Sequence, residues 1–168
     1  MLRPVTINKN IRGRLYLHSM PGRYEGWLDF IKTANALGVT HILCLTPEEE
    51  IKKKSPDYYQ ALTEGAIPFK IFHFPIQDYG IPSEAAIPRL ANILEVFQRS
   101  LIAEEVVLIH CAGGIGRTGM VATLLLVKLG NSVEEAIRLI KNAGSSPETD
   151  EQKDFLLQVA STKRDRRN

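Results

Sequence analysis

Cysteine is scarce in this sequence. Two residues in 168 make no disulfide framework, and thiols so few fit a reducing compartment. Long apolar runs are missing too: the longest, Met120–Val127, falls well short of the roughly twenty residues that a bilayer-spanning helix needs. The N-terminus carries no apolar signal segment. No membrane insertion is therefore expected, and the cytoplasm is the expected location. A net charge of +2 is too small to argue for a nucleic-acid partner. His18, His41 and His73 fall at no metal-ligand spacing, so neither a metal nor another cofactor is expected.

Repeats, linkers and low-complexity segments are absent as well, which leaves nothing to divide the chain. With 44% apolar and 24% charged residues the composition is that of a soluble globular protein, and 168 residues suffice for one well-filled core. The expected organisation is a single domain over residues 1–162 and a basic tail over 163–168, with the oligomeric state left open.

The chain reads as strands alternating with helices. Short strands are expected near Val5–Ile7 and at Arg14–His18, followed by a break at Pro21-Gly22. Trp27, Phe30, Ile31 and Ala34 recur at helical spacing, with Gly38 as the C-terminal cap. Val39–Leu45 reads as a buried strand. Glu48, Glu49 and Glu50 then suit the first turn of a helix, where the dipole favours carboxylates; shaping a pocket rim is a second reading. A helix over Ser55–Gly65 and a strand over Lys70–Pro75 lead to a turn-rich loop, Ile76–Ser83. Pro88 is tolerated only in a first turn, so the regular part of the next helix should begin near Ile87. Ser132 with Glu135 and Thr149 with Gln152 are capping-box pairs for the last two helices. This alternation, with a ligand loop at the end of a strand, argues an α/β layered fold.

That ligand loop is the most informative stretch. The apolar run Val106–Ile109 ends in His110-Cys111; Ala112, Gly113, Gly114, Ile115 and Gly116 follow; Arg117-Thr118 then opens a second apolar run. A buried strand passing through glycines into a buried helix brings successive backbone N–H groups into one concavity at a helix N-terminus, a site suited to an oxyanion such as phosphate. A cysteine at its edge feels the dipole, the amides and a guanidinium. Its thiolate is favoured, with a pKa expected well below the free value of roughly 8.5. Arg117 can grip two phosphate oxygens at once.

His110-Cys111-x5-Arg117-Thr118 resembles the signature loop of the cysteine-dependent protein tyrosine phosphatases. Within that superfamily the chain is similar to compact dual-specificity phosphatases of the kinase-associated phosphatase (cyclin-dependent kinase inhibitor 3) type. The likeness extends to Leu15–Gly22, Pro75-Ile76-Gln77-Asp78 and Glu148–Gln152. It implies a small, central, mixed but mostly parallel sheet with helices on both faces.

A phosphate monoester needs a nucleophile, stabilisation of its equatorial oxygens and a proton for the leaving oxygen. Cys111 is expected to supply the first through a phosphocysteine intermediate, and the 112–117 amides with Arg117 the second. Asp78, in a loop bounded by glycine and proline, is the candidate acid, and the resemblance points to the same residue. It also implies that the Thr118 hydroxyl hydrogen-bonds the departing sulfur, and that His110 orients the loop. Gln152 matches a water-positioning glutamine approximately, its capping role being the other reading. Cys44 is either a small buried hydrophobe or a redox partner for Cys111. The loop lacks the lysines of phosphoinositide phosphatases, and Gly116 stands where many dual-specificity enzymes carry serine.

The expected activity is hydrolysis of phosphotyrosine, and of phosphoserine or phosphothreonine, in a phosphoprotein. A phosphatase for a non-protein monoester (inositol phosphate, phosphoinositide or RNA 5′ end) is the alternative, and a non-catalytic phosphate-binding module the third reading. Cys111→Ser is expected to abolish turnover of a chromogenic aryl phosphate while leaving the fold intact. Retained turnover in a clean preparation would remove Cys111 from the mechanism.

Overall fold

In the computed structural model, residues 1–165 are described; Arg166–Asn168, within the basic segment 163–168 set apart above, lie outside the described residues. The apolar runs form β1 (Arg3–Val5), β2 (Arg14–His18), β3 (Val39–Cys44), β4 (Lys70–His73) and β5 (Val106–His110). They make one five-stranded sheet of order β1-β2-β5-β3-β4. β1 is antiparallel to β2 and every other pairing is parallel. The small, mixed, mostly parallel sheet is as expected.

β5 is buried along its whole length, which a near-continuous apolar run in a sheet covered on both faces requires. Alternation sorts its side chains. Val107 and Ile109, with Leu15, Leu17 and Leu43, meet α4 (Ile87–Ile102), α5 (Gly116–Lys128), α6 (Val133–Asn142) and α7 (Asp150–Asp165) in the main core. Val106 and Leu108, with Tyr16 and Ile42, meet Phe30 and Ala34 of α1 (Trp27–Leu37) on the other face. A bulge between Val39 and His41 keeps β3 in step with β5, the Thr40 hydroxyl donating to the Val106 carbonyl (3.1 Å). A third cluster seats Ile51 of α2 (Glu48–Lys54) and Tyr58 of α3 (Pro56–Thr63) on Cys44 and Ala112. Among the described residues no helix is long and apolar enough to cross a membrane.

Most element boundaries fall where the sequence put them. Gly38 ends α1 in the left-handed conformation (φ 75°). A 3-10 turn, Glu84–Ala86, precedes α4, so the regular helix starts at Ile87 with Pro88 in its first turn. The first strand differs: pairing runs over Arg3–Val5 rather than Val5–Ile7, because the chain is already turning at Asn8. Pro4 is tolerated because β1 is an edge strand. The last helix also runs on to Asp165, into the segment read as a tail.

Phe97 of α4 is fully buried between the sheet and the helical layer. Phe97→Ala is expected to lower the unfolding free energy by about 3–5 kcal/mol in urea titration. Leu28→Ala, at a position 69% exposed on α1, should cost less than about 1 kcal/mol. Equal losses would contradict this placement of the core.

Candidate active site

The loop after β5 lies between the ends of β2 and β3, and those neighbours take up its carbonyls. Met20 N–H donates to Ala112 O (3.2 Å) and Leu45 N–H to His110 O (2.9 Å). Gly114 has φ 71°, and a Cβ there would stand 2.3 Å from the His18 carbonyl oxygen, so backbone conformation and space both demand glycine. Its N–H donates to Cys111 Sγ (3.2 Å). At Gly116 a Cβ would meet a Glu148 carboxylate oxygen at 2.1 Å, a contact that the flexible Glu148 side chain could relieve by moving.

Arg117 begins in the first turn of α5 and its side chain is 98% buried. Its partners divide the guanidinium. Nη1 donates to Glu50 Oε2 (2.9 Å) and to the Ile76 carbonyl (3.0 Å), and Nη2 to Glu50 Oε1 (3.3 Å). Nη2 also pairs with Asp78 Oδ1 (2.9 Å). Nε–H has no partner among the described residues. Glu50 thus fills the end-on fork, and the side edge formed by Nε and Nη2 suits a second bidentate oxyanion that exchanges with Asp78. Burial works to lower the guanidinium pKa, but the Glu50 hydrogen bonds and the charges of Cys111, Glu50 and Asp78 outweigh it, and the net shift is upward. Burial likewise works to raise the Glu50 carboxyl, and hydrogen bonds from Arg117 and Lys54 hold it below its ordinary range.

Asp78 is half exposed, and its loop is tied to the start of α7. Thr149 Oγ1 donates to the Tyr79 carbonyl (3.3 Å) and Gln152 Nε2 to the Gly80 carbonyl (3.2 Å). Gln152 is fully buried, and its amide oxygen accepts from Glu148 N–H (2.9 Å) while its own N–H caps on Thr149 Oγ1 (3.1 Å). The helix-capping reading of Gln152 therefore holds, and orienting a water would require it to compete with these bonds.

His110 lies beneath the cradle. Tyr58 O–H donates to its Nε2 (3.0 Å), and its Nδ1 faces the Cys111 carbonyl (3.3 Å). Burial pushes its pKa down to about 3, so it is a neutral spacer that fixes the loop's entry. Thr118 Oγ1 is buried with no partner among the described residues; in this state the sulfur is held by Gly114 N–H, not by Thr118. Cys44 and Cys111 are both free thiols. Cys44 is fully buried, in register beside His110, and burial pushes its thiol up to about 11. That environment fits the apolar reading.

Cys111, the 112–116 backbone, Arg117 and Asp78 are thus brought together, with His110 supporting them. Glu50 matters more than its sequence position suggested: a buried arginine needs a carboxylate, and of three glutamates in one helical turn only the fold shows which faces it. Tyr58 carried no sequence signal beyond helical spacing.

Sheet order, flanking helices and the strand–loop–helix cradle define a phosphatase domain of the dual-specificity type. A family model, PTP-SAK (Swiss Army Knife protein, DSP-PTPase phosphatase domain), matches residues 11–165, and the chain belongs to that family. Its fold is that of kinase associated phosphatase, solved with its catalytic-site cysteine replaced by serine: TM-score 0.82 at 22% identity, covering 96% of this chain and 94% of that one. Tk-PTP in the active form gives TM-score 0.72 at 25% identity, covering 95% and 97%. PTPMT1 in complex with PI(5)P gives 0.74 at 13% identity, covering 96% and 98%. An uncharacterized protein of Methanocaldococcus jannaschii is 30% identical over 95 residues, 55% of this chain and 56% of the relative. A second from the same organism is 32% identical over 96 residues, 54% and 61%. The chain spans little more than half the length of these curated relatives.

Because the Glu50 pKa is depressed, the pair it forms with Arg117 contributes fully above the ordinary carboxylate range and is lost as pH falls through the lowered value. Glu50→Gln is expected to reduce the unfolding free energy by about 1–3 kcal/mol at neutral pH. The gap to wild type should close on acidification. A gap that is constant from neutral pH to strong acid would show that the charge of Glu50 contributes nothing.

Proposed function

We propose that the chain is a phosphoprotein phosphatase, hydrolysing phosphotyrosine and phosphoserine or phosphothreonine through a phosphocysteine intermediate on Cys111. One observation carries the reading: a buried arginine shares its loop with the cysteine, its Nε–H has no partner among the described residues, and its Nη2 meets an exchangeable loop carboxylate, Asp78. A phosphate dianion takes the edge by its oxygens, and the amides from Ala112 to Arg117 bind the remainder. The Cys111 sulfur attacks phosphorus in line, forming the S–P bond as the P–O bond to the leaving group breaks. Asp78, displaced from Arg117 by the dianion, takes up a proton from solvent and delivers it to that oxygen. In the second step Asp78 takes a proton from the attacking water, the S–P bond breaks, and inorganic phosphate leaves. Thr118, whose hydroxyl has no partner among the described residues, is the donor for the departing sulfur. His110 fixes the loop. Two subsidiary roles would each work against the structure described above: water positioning by Gln152 has to compete with the bonds of its cap, and capture of an oxidised Cys111 by Cys44 has to start from a fully buried thiol.

Three observations bear on substrate. The loop side chains between Cys111 and Arg117 are small and uncharged. Asp78 and Glu148 place carboxylates beside the cradle. Exposed Tyr79 and Ile115 add apolar surface beside it. This rim suits a single phosphate on a peptide better than a polyphosphorylated ring, whose further charges would meet carboxylates. A non-protein monoester remains the second reading, and the likeness of fold to PTPMT1 is the observation that favours it.

A kinetic panel of phosphopeptides against inositol phosphates, phosphoinositides and 5′-phosphorylated RNA separates the two; higher kcat/KM on a non-protein compound would overturn the protein reading. Asp78→Asn is expected to lower kcat by about 10²–10⁴-fold. The loss should shrink for aryl phosphates with acidic leaving phenols, which need less protonation. An equal loss on every leaving group would make Asp78 structural.

A further inference from the structure

Behind the cradle stands a second arginine. Arg3, on the edge strand β1, sends Nη2 to the Gly114 carbonyl and to Ser145 Oγ (3.2 Å), and Nη1 to the Gly144 carbonyl. Ser145 Oγ donates to the same Gly114 carbonyl and is buried. Gly144, at φ 78°, leaves room for the guanidinium: a Cβ there would stand 3.0 Å from Arg3 Nη1. One loop carbonyl is therefore held from outside by two side chains, one of them cationic. They come from the first strand and from the turn between α6 and α7. Arg3 lies outside residues 11–165, the span that the family model matches.

The consequence follows from peptide geometry. Among the described residues no peptide bond is cis, and in a trans peptide the carbonyl and the next N–H point in opposite directions. Fixing the Gly114 carbonyl outward fixes the Ile115 N–H toward the opposite, concave side, where an oxyanion is bound. Gly114, on the N-terminal side of this peptide, offers little resistance to its flip, which leaves Ile115 as the local restraint. A flip would replace a donor in the cradle by a carbonyl oxygen facing phosphate.

We propose that Arg3, with Ser145, is a positioning residue that locks the 114–115 peptide in its oxyanion-binding orientation. Its cation also adds to the positive field at the cradle. Burial works to lower the Arg3 guanidinium, while the opposite charge on Cys111 pulls it up, so the two groups are electrostatically in reach of each other. The proposal rests on the reading of residues 111–118 as a phosphate cradle.

The test measures inhibition by orthovanadate, a phosphate mimic, together with kcat and KM on an aryl phosphate and the unfolding midpoint. Arg3→Met should weaken vanadate binding about tenfold, below the cost of deleting an oxyanion donor outright, and lower kcat/KM at least as much. Arg3→Lys should recover part of the loss, and Ser145→Ala should show a smaller one. Phe97→Ala is the control for destabilisation alone and should keep wild-type vanadate affinity. Unchanged vanadate affinity in Arg3→Met, whatever its unfolding midpoint, overturns the proposal. Should that variant fail to fold, unchanged affinity in Ser145→Ala overturns it instead. A wild-type protein that turns over substrate and binds vanadate keeps the cradle reading intact in either case; one that does neither sinks that reading first.

Discussion

A guanidinium buried to 98% has to be paired, and the way Arg117 is paired organises this site. Glu50 occupies its end-on fork, the Ile76 carbonyl takes one further N–H, and among the described residues the side edge is held only by the half-exposed Asp78. The arginine is thus anchored by one element and offered to a ligand by another. α2 must come close enough to deliver Glu50, and the loop after β4 must deliver both Ile76 and Asp78. The order β5-β3-β4 does this by setting β3 and β4 beside the cradle strand. On the proposed function, the dianion exchanges with Asp78 on an arginine that does not itself have to move.

The cradle is held from beneath and behind by groups without a chemical role. His110 is neutral because it is buried, and Tyr58 and the Cys111 carbonyl use its two nitrogens. Gly114 and Gly119 are demanded by close approach to the backbone of His18 and Ser146 respectively, so these glycines record packing. The last helix enters through its cap: Thr149 and Gln152 start α7 and at the same time hold the carbonyls of Tyr79 and Gly80, one and two residues beyond Asp78.

Much of this was legible in the sequence where the cause was local. A continuous apolar run gave β5, Pro88 gave the start of α4, Gly38 the end of α1, and the spacing of Cys111 to Arg117 the cradle. What stayed hidden depends on pairings between distant segments. The dipole explanation of Glu48, Glu49 and Glu50 holds for any helix start, and choosing Glu50 required knowing where α2 lies relative to α5. The Thr149–Gln152 capping pair was visible, but its hold on the Asp78 loop was not, since the partners are 70 and 72 positions apart. β1 was misplaced by two residues because pairing with Leu15–Leu17, not local apolar content, sets its register. Arg3 likewise looked like an unremarked edge residue until the fold brought Gly114 and Ser145 to it.

The proposed function requires a covalent bond between phosphorus and the Cys111 sulfur. Rapid acid quenching of the wild-type enzyme during turnover of a phosphopeptide, followed by mass spectrometry of its proteolytic fragments, reads that bond directly. The fragment containing Cys111 should carry one added phosphoryl group that forms and decays at rates consistent with kcat. Turnover with that fragment unmodified at every quench time, or with the phosphoryl group on another residue, would contradict it.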